Sequence, residues 1–91
     1  MRIPIGTVVE WVSGAGGVEK RKRGVVIAYL PAGSNAWRRL PPDTPRTRLR
    51  GDAFSTKDRY LVEVRDAPNR APRYYTPTAS VIERQNAHLC R

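Results

Sequence analysis

The sequence contains one cysteine, Cys90, and one histidine, His88. A single cysteine excludes an internal disulfide bond and is typical of proteins in a reducing compartment. His88 and Cys90 cannot supply the four ligands of a structural zinc ion, and they lie near the chain end, where fraying is expected. Nucleophiles, general bases and metal sites draw mostly on His, Cys, Asp and Glu. The sequence therefore predicts no enzyme activity, no catalytic residue, no metal and no cofactor.

Long apolar runs are also lacking. No segment approaches the roughly 20 consecutive apolar residues of a membrane span, and residues 1–12 lack the charged-then-apolar layout of a signal peptide. Gly14 and Gly16 precede no predicted helix, so they form neither a dinucleotide-binding nor a P-loop motif. We expect a protein without membrane contact, in the cytoplasm of the bacterium that produces it or of a phage host.

Acidic residues are scarce: 8 Asp and Glu stand against 17 Lys and Arg, for a formal net charge of +9. Arg supplies fourteen of the cations, and its planar guanidinium pairs well with phosphate or carboxylate. Such a charge attracts polyanions. Two alternatives stay open, because basic charge can serve solubility alone and a GC-rich genome also raises the arginine content.

The chain of 91 residues predicts a single domain over residues 1–91. The 8 prolines and 7 glycines interrupt it too often for several long helices. β-Branched and aromatic residues predict a first strand over residues 7–12, with Val9 and Trp11 on its core face. The most apolar run, residues 24–30, predicts a central strand that ends at Pro31.

The second half of the chain predicts a hairpin and a short terminal element. Residues 58–65 alternate, which predicts a strand with Tyr60, Val62 and Val64 on one face and Arg59, Leu61, Glu63 and Arg65 on the other. Residues 73–76 follow a turn and predict a short return strand. Residues 78–83 fit either one helical turn or a last strand, and residues 84–91 are expected to form a loose tail.

Residues 31–57, here called the insert, carry four prolines and two glycines without clear periodicity. Prolines at 41, 42 and 45 exclude a regular helix or a central strand there. Structureless connections of this length are uncommon in compact domains and are often functional or disordered. The insert is therefore predicted to be a long Arg- and Pro-rich loop and the first place to look for function.

The strand pattern resembles the SH3-like small β-barrels. The resemblance rests on Gly6, Val9 and Trp11, then residues 24–26, then alternating residues 60–64, then Tyr74, Tyr75, Pro77 and Val81. It covers most of the chain outside the insert, and the chain looks like Tudor- and KOW-type modules and small barrel proteins of phages and mobile elements. The predicted fold is thus mainly β: such a barrel, or a curled antiparallel sheet of four to five short strands.

The resemblance implies binding to nucleic acid or protein rather than catalysis. In Tudor-type modules it also implies an aromatic cage for a methylated cation, but core packing is the favoured role of the aromatic residues here, and the +9 charge would repel a basic peptide. The residues in question are Trp11, Tyr29, Tyr60, Tyr74 and Tyr75.

Nucleic-acid binding requires cations that displace counterions and, for single strands, aromatic faces for base stacking. Both are present, and sequence-tolerant attachment to DNA or RNA is the leading functional prediction. The predicted binding residues are the basic run of Lys20, Arg21, Lys22 and Arg23, on an exposed hairpin arm, together with Trp37, Arg38, Arg39, Arg46, Arg48 and Arg50 of the insert. The alternative for the basic run is a solvated turn. The alternative for the insert is a loop whose arginines pair with Asp43, Asp52 and Asp58.

Two other functions fit the same features. The chain can be a small phage or mobile-element inhibitor, similar to an anti-CRISPR protein, that binds an acidic face of a host defence complex. It can also be a structural protein of a ribosome or virion, with an insert that becomes ordered only on nucleic acid. The sequence does not distinguish DNA from RNA and does not indicate an oligomeric state.

Overall fold

The computed structural model describes residues 2–15, 18–65 and 67–89. Its strands are β1 (Val8–Ala15), β2 (Val18–Leu30), β3 (Leu49–Arg50), β4 (Arg59–Val64) and β5 (Arg73–Tyr75). The helix α1 spans Ala79–Gln85, and short 3-10 helices span Ala36–Arg39, Arg46–Arg48 and Ala87–Leu89. The fold is mainly β, as predicted, and within the described residues no helix is long and apolar enough to cross a membrane.

The five strands form one mixed sheet in the order β1-β2-β4-β5-β3. The pairs β1–β2, β2–β4 and β4–β5 are antiparallel, whereas β3 runs parallel to β5. The order is open, so the sheet does not close into a barrel. The sheet is nevertheless curled. Trp11 of β1 makes an edge-to-face contact with Tyr75 of β5, with ring centroids 6.1 Å apart, although the two strands are not neighbours. Of the two predicted architectures, the curled sheet is the one observed, although the parallel β3–β5 pair makes it mixed and not antiparallel.

A β-bulge in β2 divides the core between the two faces of the sheet. Val26 pairs with Val62 and Ala28 pairs with Leu61, so Ile27 is the additional residue on β2. Such an insertion reverses the facing of the residues that follow it. Val26 consequently packs with the α1 side of the sheet, and Ala28 packs with the insert side.

Both faces of β4 are buried. One face packs against α1, where Ile82 is fully buried, and the other packs against Ala36 and Leu49 of the insert. The alternation predicted for this strand is present, and Leu61, which the pattern places on the same face as Arg59 and Glu63, has no exposed surface. The sequence pattern showed two faces without showing that the insert covers the second.

The insert is only partly a loop. It contains two 3-10 helices and β3, and it packs back on the sheet. Arg59 holds it there: the side chain is 4% exposed and donates hydrogen bonds to the carbonyl oxygens of Asp52 (2.6 Å), Ala53 (3.1 Å) and, more weakly, Ser34 (3.4 Å). A guanidinium with several fixed donors suits such a cluster of carbonyls. The prediction of a long loop over residues 31–57 is therefore corrected, although β3 is an edge strand and not a central one.

The helix alternative is the correct one for the terminal element, and it extends further than predicted. α1 continues to Gln85, and Asn86 after it is 2% exposed. The Asn86 side chain accepts a hydrogen bond from the Glu10 amide (3.1 Å) and donates to the Glu10 carbonyl (2.8 Å). The expectation of a loose tail is thus wrong for Asn86, while Cys90 lies outside the described residues.

Candidate nucleic-acid interface

The basic run belongs to a strand rather than to a turn. All four residues lie in β2 and pair with β1 in a regular antiparallel register, in which Trp11 is opposite Lys22 and Glu10 is opposite Arg23. Successive side chains of a strand point to opposite faces. The structure therefore separates the run into two pairs: Lys20 and Lys22 on the side of Trp11, Arg21 and Arg23 on the other side.

Lys22 lies in a groove shared with the far edge of the sheet. The groove has a volume of about 480 Å³, and Trp11 and Lys22 of the β1–β2 hairpin line one side of it. Arg50 of β3 and the adjoining residues 51–52 line the opposite side. Tyr75 contributes to the lining between them. The curl of the sheet thus brings together two predicted cations, Lys22 and Arg50, that are far apart in sequence.

The chemistry of the groove is that of cations and hydroxyl groups. The Lys22 ammonium nitrogen lies 5.1 Å from the centroid of the Tyr75 ring, within cation–π range. Arg59 also borders the groove, and Asp52 is the carboxylate in the lining. Hydroxyl groups complete the set, from Ser55, Thr76 and Thr78. Such groups are typical contacts to a phosphate and sugar backbone.

The Trp37 region of the insert forms a separate surface. Trp37 is 38% exposed, and the Arg46 guanidinium carbon lies 4.5 Å from its ring centroid. Asn35 caps the 3-10 helix by accepting a hydrogen bond from the Trp37 amide (3.0 Å). Arg38 and Arg39 border a second depression together with Phe54, which is 60% exposed. Trp37 remains a candidate for stacking, with Arg46 already against its ring.

Arg48 is placed with two arginines outside the predicted set. It borders a pocket with Arg70, Ala71 and Arg73. The ten predicted residues therefore do not form one patch: they divide among the groove, the Trp37 region, this pocket and the outer face of the hairpin. Arg70 and Arg73 were missed because nothing local in the sequence indicates that β3 pairs with β5.

The insert arginines are not neutralised by the acidic residues considered in the sequence analysis. In the described part of the chain an ion pair joins Arg65 and Glu63, whose nitrogen and oxygen atoms are 3.9 Å apart, and neither residue belongs to the insert. The Asp58 carboxylate instead accepts a hydrogen bond from the Ala32 amide (2.8 Å). This bond, with a second from Tyr29, holds the pKa of Asp58 below its usual value. Asp43, Asp52 and Asp58 thus leave the insert arginines available to an external anion.

Two buried tyrosines use their hydroxyl groups for hydrogen bonds within the fold. The Tyr60 hydroxyl donates to Glu83 Oε2 (2.6 Å) and accepts from the Ile3 amide (2.9 Å). Burial, together with the bond to Glu83, raises the pKa of Tyr60 to about 12. Burial likewise raises the pKa of Tyr74, which donates to Glu63 Oε2 at 3.0 Å. Both tyrosines stay protonated near neutral pH, so they act as hydrogen-bond donors and not as general bases.

Residues 2–15, 18–65 and 67–89 contain no group of three or more His, Cys, Asp or Glu side chains placed to hold a metal ion. No protein-family model matches the chain, and no curated protein or solved structure matches it either.

Proposed function

We propose that the protein binds nucleic acid, without strong sequence preference, along the groove between the β1–β2 hairpin and β3. The observation that carries the proposal is the convergence of Lys22 and Arg50 on one groove. Cations on both sides suit a phosphate backbone that runs between them, and the net charge of +9 supplies the long-range attraction. The proposal places the protein in the cytoplasm, in line with its single cysteine.

The groove favours contacts to the backbone over contacts to bases. The Lys22 ammonium lies against the Tyr75 ring, and Trp11 is only 4% exposed, so neither aromatic ring offers a free face to a base. The hydroxyl groups of Thr76 and Thr78 add donors for phosphate and sugar oxygens. Binding through such groups depends on charge and shape, which accounts for the proposed lack of sequence preference.

The separation of the basic run into two faces provides a matched test. Lys22→Gln with Arg50→Gln removes two charges from the groove, whereas Arg21→Gln with Arg23→Gln removes two charges from the outer face. Binding to labelled duplex DNA, single-stranded DNA and RNA is measured by fluorescence anisotropy at several salt concentrations. We expect the groove variant to bind at least tenfold more weakly and to lower the salt slope by about 2, since each lost phosphate contact lowers it by about 1.

The outer-face variant is expected to change affinity less and to keep most of the salt slope. Circular dichroism of both variants verifies that the sheet is intact. Equal losses in the two variants would show that binding depends on net charge and not on the groove. An absence of binding to all three nucleic acids at low salt would overturn the proposal.

A second candidate function is binding to an acidic face of a host protein complex, as an inhibitor from a phage or mobile element would do. Phe54, at 60% exposure beside Arg38 and Arg39, favours it. Protein interfaces concentrate their energy in aromatic and arginine anchors and withstand moderate salt better than phosphate contacts do. Capture of a partner that survives moderate salt and is lost in Phe54→Ala would support this function over the first.

We also propose an SH3-like relationship as the finer description of the fold. It is supported by the two antiparallel hairpins, the curl that brings Trp11 to Tyr75 and the short helical ending. The open strand order and the parallel β3–β5 pair are departures from a closed antiparallel barrel.

A further inference from the structure

We infer that part of β2 accepts an extended, acidic segment of a partner protein as an additional strand of the sheet. The site is the edge of β2 that faces away from β1 at Arg21 and Arg23, here called the open edge. Strand addition of this kind takes its affinity from backbone hydrogen bonds and its specificity from side chains. The inference does not depend on the proposed nucleic-acid binding, because it concerns the edge of a strand and not the groove.

β2 is longer than the strand that flanks it on the side away from β1. It spans Val18–Leu30, and β1 pairs with its first part, from Val18 to Val25. β4 flanks the opposite edge only from Val25 to Leu30 and ends at Val64. Within the described residues, no strand therefore pairs with residues 19–23 of β2 on the side away from β1. An unpaired strand edge is a template for a further strand.

Hydrogen bonds on the other side of the hairpin show which backbone groups face the open edge. In β1, the amide and carbonyl of Glu10 and the amide of Val12 bond to side chains at the end of α1, so these groups face away from β2. Glu10 is opposite Arg23 and Val12 is opposite Arg21. Opposite residues of an antiparallel pair exchange either both of their hydrogen bonds or neither. The backbone amides and carbonyls of Arg21 and Arg23 therefore face away from β1, towards the place of an added strand.

The charge of the side chains decides which strand the open edge accepts. Arg21 and Arg23 are exposed and lie on one face of β2, because alternate residues of a strand point to the same side. Directly opposite residues of paired strands attract each other when their charges are opposite and destabilise the pair when their charges are alike. A second copy of the chain, paired antiparallel through this edge, would set arginine against arginine. A strand with Asp or Glu at these positions is favoured instead, and the net charge of +9 attracts such a segment.

The added strand would lie in line with β4 and antiparallel to β2. The residues opposite Arg21 and Arg23 then exchange both backbone hydrogen bonds with them and place their side chains on the same face as the two arginines. The carboxylates and the amide donors used in docking therefore belong to the same residues of the partner. This coincidence allows charge and strand pairing to be separated by experiment.

The probe is a short labelled peptide in which Glu alternates with Val. Its binding to the full-length protein is measured by fluorescence anisotropy, and amide hydrogen exchange is followed by NMR. We expect saturable binding that slows exchange most at the amides of Arg21 and Arg23. The same peptide methylated at the glutamate amide nitrogens keeps its charge but lacks the donors, and it should bind the unaltered protein about tenfold more weakly.

Arg21→Pro and Arg21→Gln form a matched pair of variants. Both remove one charge, but only proline also removes the amide that faces the open edge, and an edge position tolerates proline because that amide is not part of the β1–β2 ladder. We expect the peptide to bind Arg21→Pro about tenfold more weakly than Arg21→Gln. Circular dichroism verifies that both variants are folded, and the methylated peptide tests the inference on the unaltered protein without either variant.

Equal binding of the peptide to the two variants, or equal binding of the two peptides to the unaltered protein, would overturn the inference, because attraction between charges would then account for the binding. Analytical ultracentrifugation tests the remaining occupant of the open edge. Self-association of the unaltered protein that is lost in Arg21→Pro but kept in Arg21→Gln would show that a second copy takes this place, and it would equally overturn the inference.

Discussion

Arg59 shows how a single side chain converts a long segment into part of a core. Its guanidinium is buried, and its partners are carbonyl oxygens of the insert rather than a carboxylate. Burial lowers the pKa of Arg59 from its ordinary value, but an arginine stays charged in proteins at neutral pH. Removal of the side chain would take a donor from the Asp52 carbonyl and one of two donors from the Ala53 carbonyl, which also accepts from the Ala36 amide. Hydrogen bonds from a charged group contribute more than ordinary ones.

Arg59→Met is therefore expected to lower the free energy of unfolding by about 2–4 kcal/mol, although it preserves most of the apolar stem. Urea unfolding measures the loss. Hydrogen exchange should become faster at the amides that tie the insert down, those of Gly33 and Ala36. Arg65→Ala, at an exposed ion pair, should stay within about 0.5 kcal/mol of the unaltered protein. A similarly small change in Arg59→Met would contradict the role of Arg59.

Tyr60 gives the fold a dependence on alkaline pH. Its pKa is about 12 in the folded protein and about 10 in an unfolded chain, so the folded state holds the proton more tightly. The stabilisation is complete below pH 10 and is lost as the pH rises towards 12. A pKa difference of this size corresponds to roughly 3 kcal/mol.

The measurement is the free energy of urea unfolding from neutral pH to pH 12, for the unaltered protein and for Tyr60→Phe. Tyr60→Phe should be less stable at neutral pH, because the Ile3 amide loses its acceptor, and it should have a shallower decline above pH 10. Tyr29 and Tyr74 also have raised pKa values and contribute to the decline in both proteins. Parallel curves above pH 10 would show that Tyr60 is not the group responsible.

Among the elements, β1 is the longer of the two edge strands of the sheet, and its outer edge needs protection. An edge strand exposes unpaired amide and carbonyl groups that can pair with another chain. Side chains from the end of α1 occupy that edge: Asn86 bonds both backbone groups of Glu10, and Gln85 Oε1 accepts from the Val12 amide at 2.8 Å. Two amide side chains thus take the place of a further strand.

Asn86→Ala is expected to cost about 2–3 kcal/mol of unfolding free energy and to increase self-association, because a buried side chain with three hydrogen bonds is lost at an edge. Gln85→Ala, at an exposed residue with one of these bonds, is the comparison and should cost about 1 kcal/mol or less. Urea unfolding and analytical ultracentrifugation report the two effects. Equal losses in the two variants, without association, would argue against edge protection.

At the scale of the whole molecule, sequence reasoning recovered what depends on local pattern. The strands around Trp11 and Tyr60, the stop at Pro31 and the β4–β5 hairpin follow from alternation and turn residues. Long-range features did not follow. The bulge at Ile27, the burial of Arg59 and the parallel β3–β5 pair each depend on residues distant in sequence, and no periodicity encodes them.

The candidate site likewise has a part that the sequence predicts, the identity of its cations, and a part that it does not predict, their grouping. Its cations were identified from composition and clustering, and they are indeed exposed for the most part. Their grouping was not predictable, because it depends on the curl that brings Lys22 towards Arg50 and on the register that brings Arg48 to Arg73. The anionic ligand that composition suggests stays a prediction, whereas the grouping of the cations depends on tertiary structure.

The parallel pairing of β3 with β5 also sets an order of events during synthesis. A ribosome releases residues 49–50 well before residues 73–75, so β3 has no neighbouring strand when it first emerges. β3 can pair only after β5 has been made. Until then Arg50 lies on an unpaired segment, exposed to the ribosomal RNA and messenger RNA of the cell that makes it.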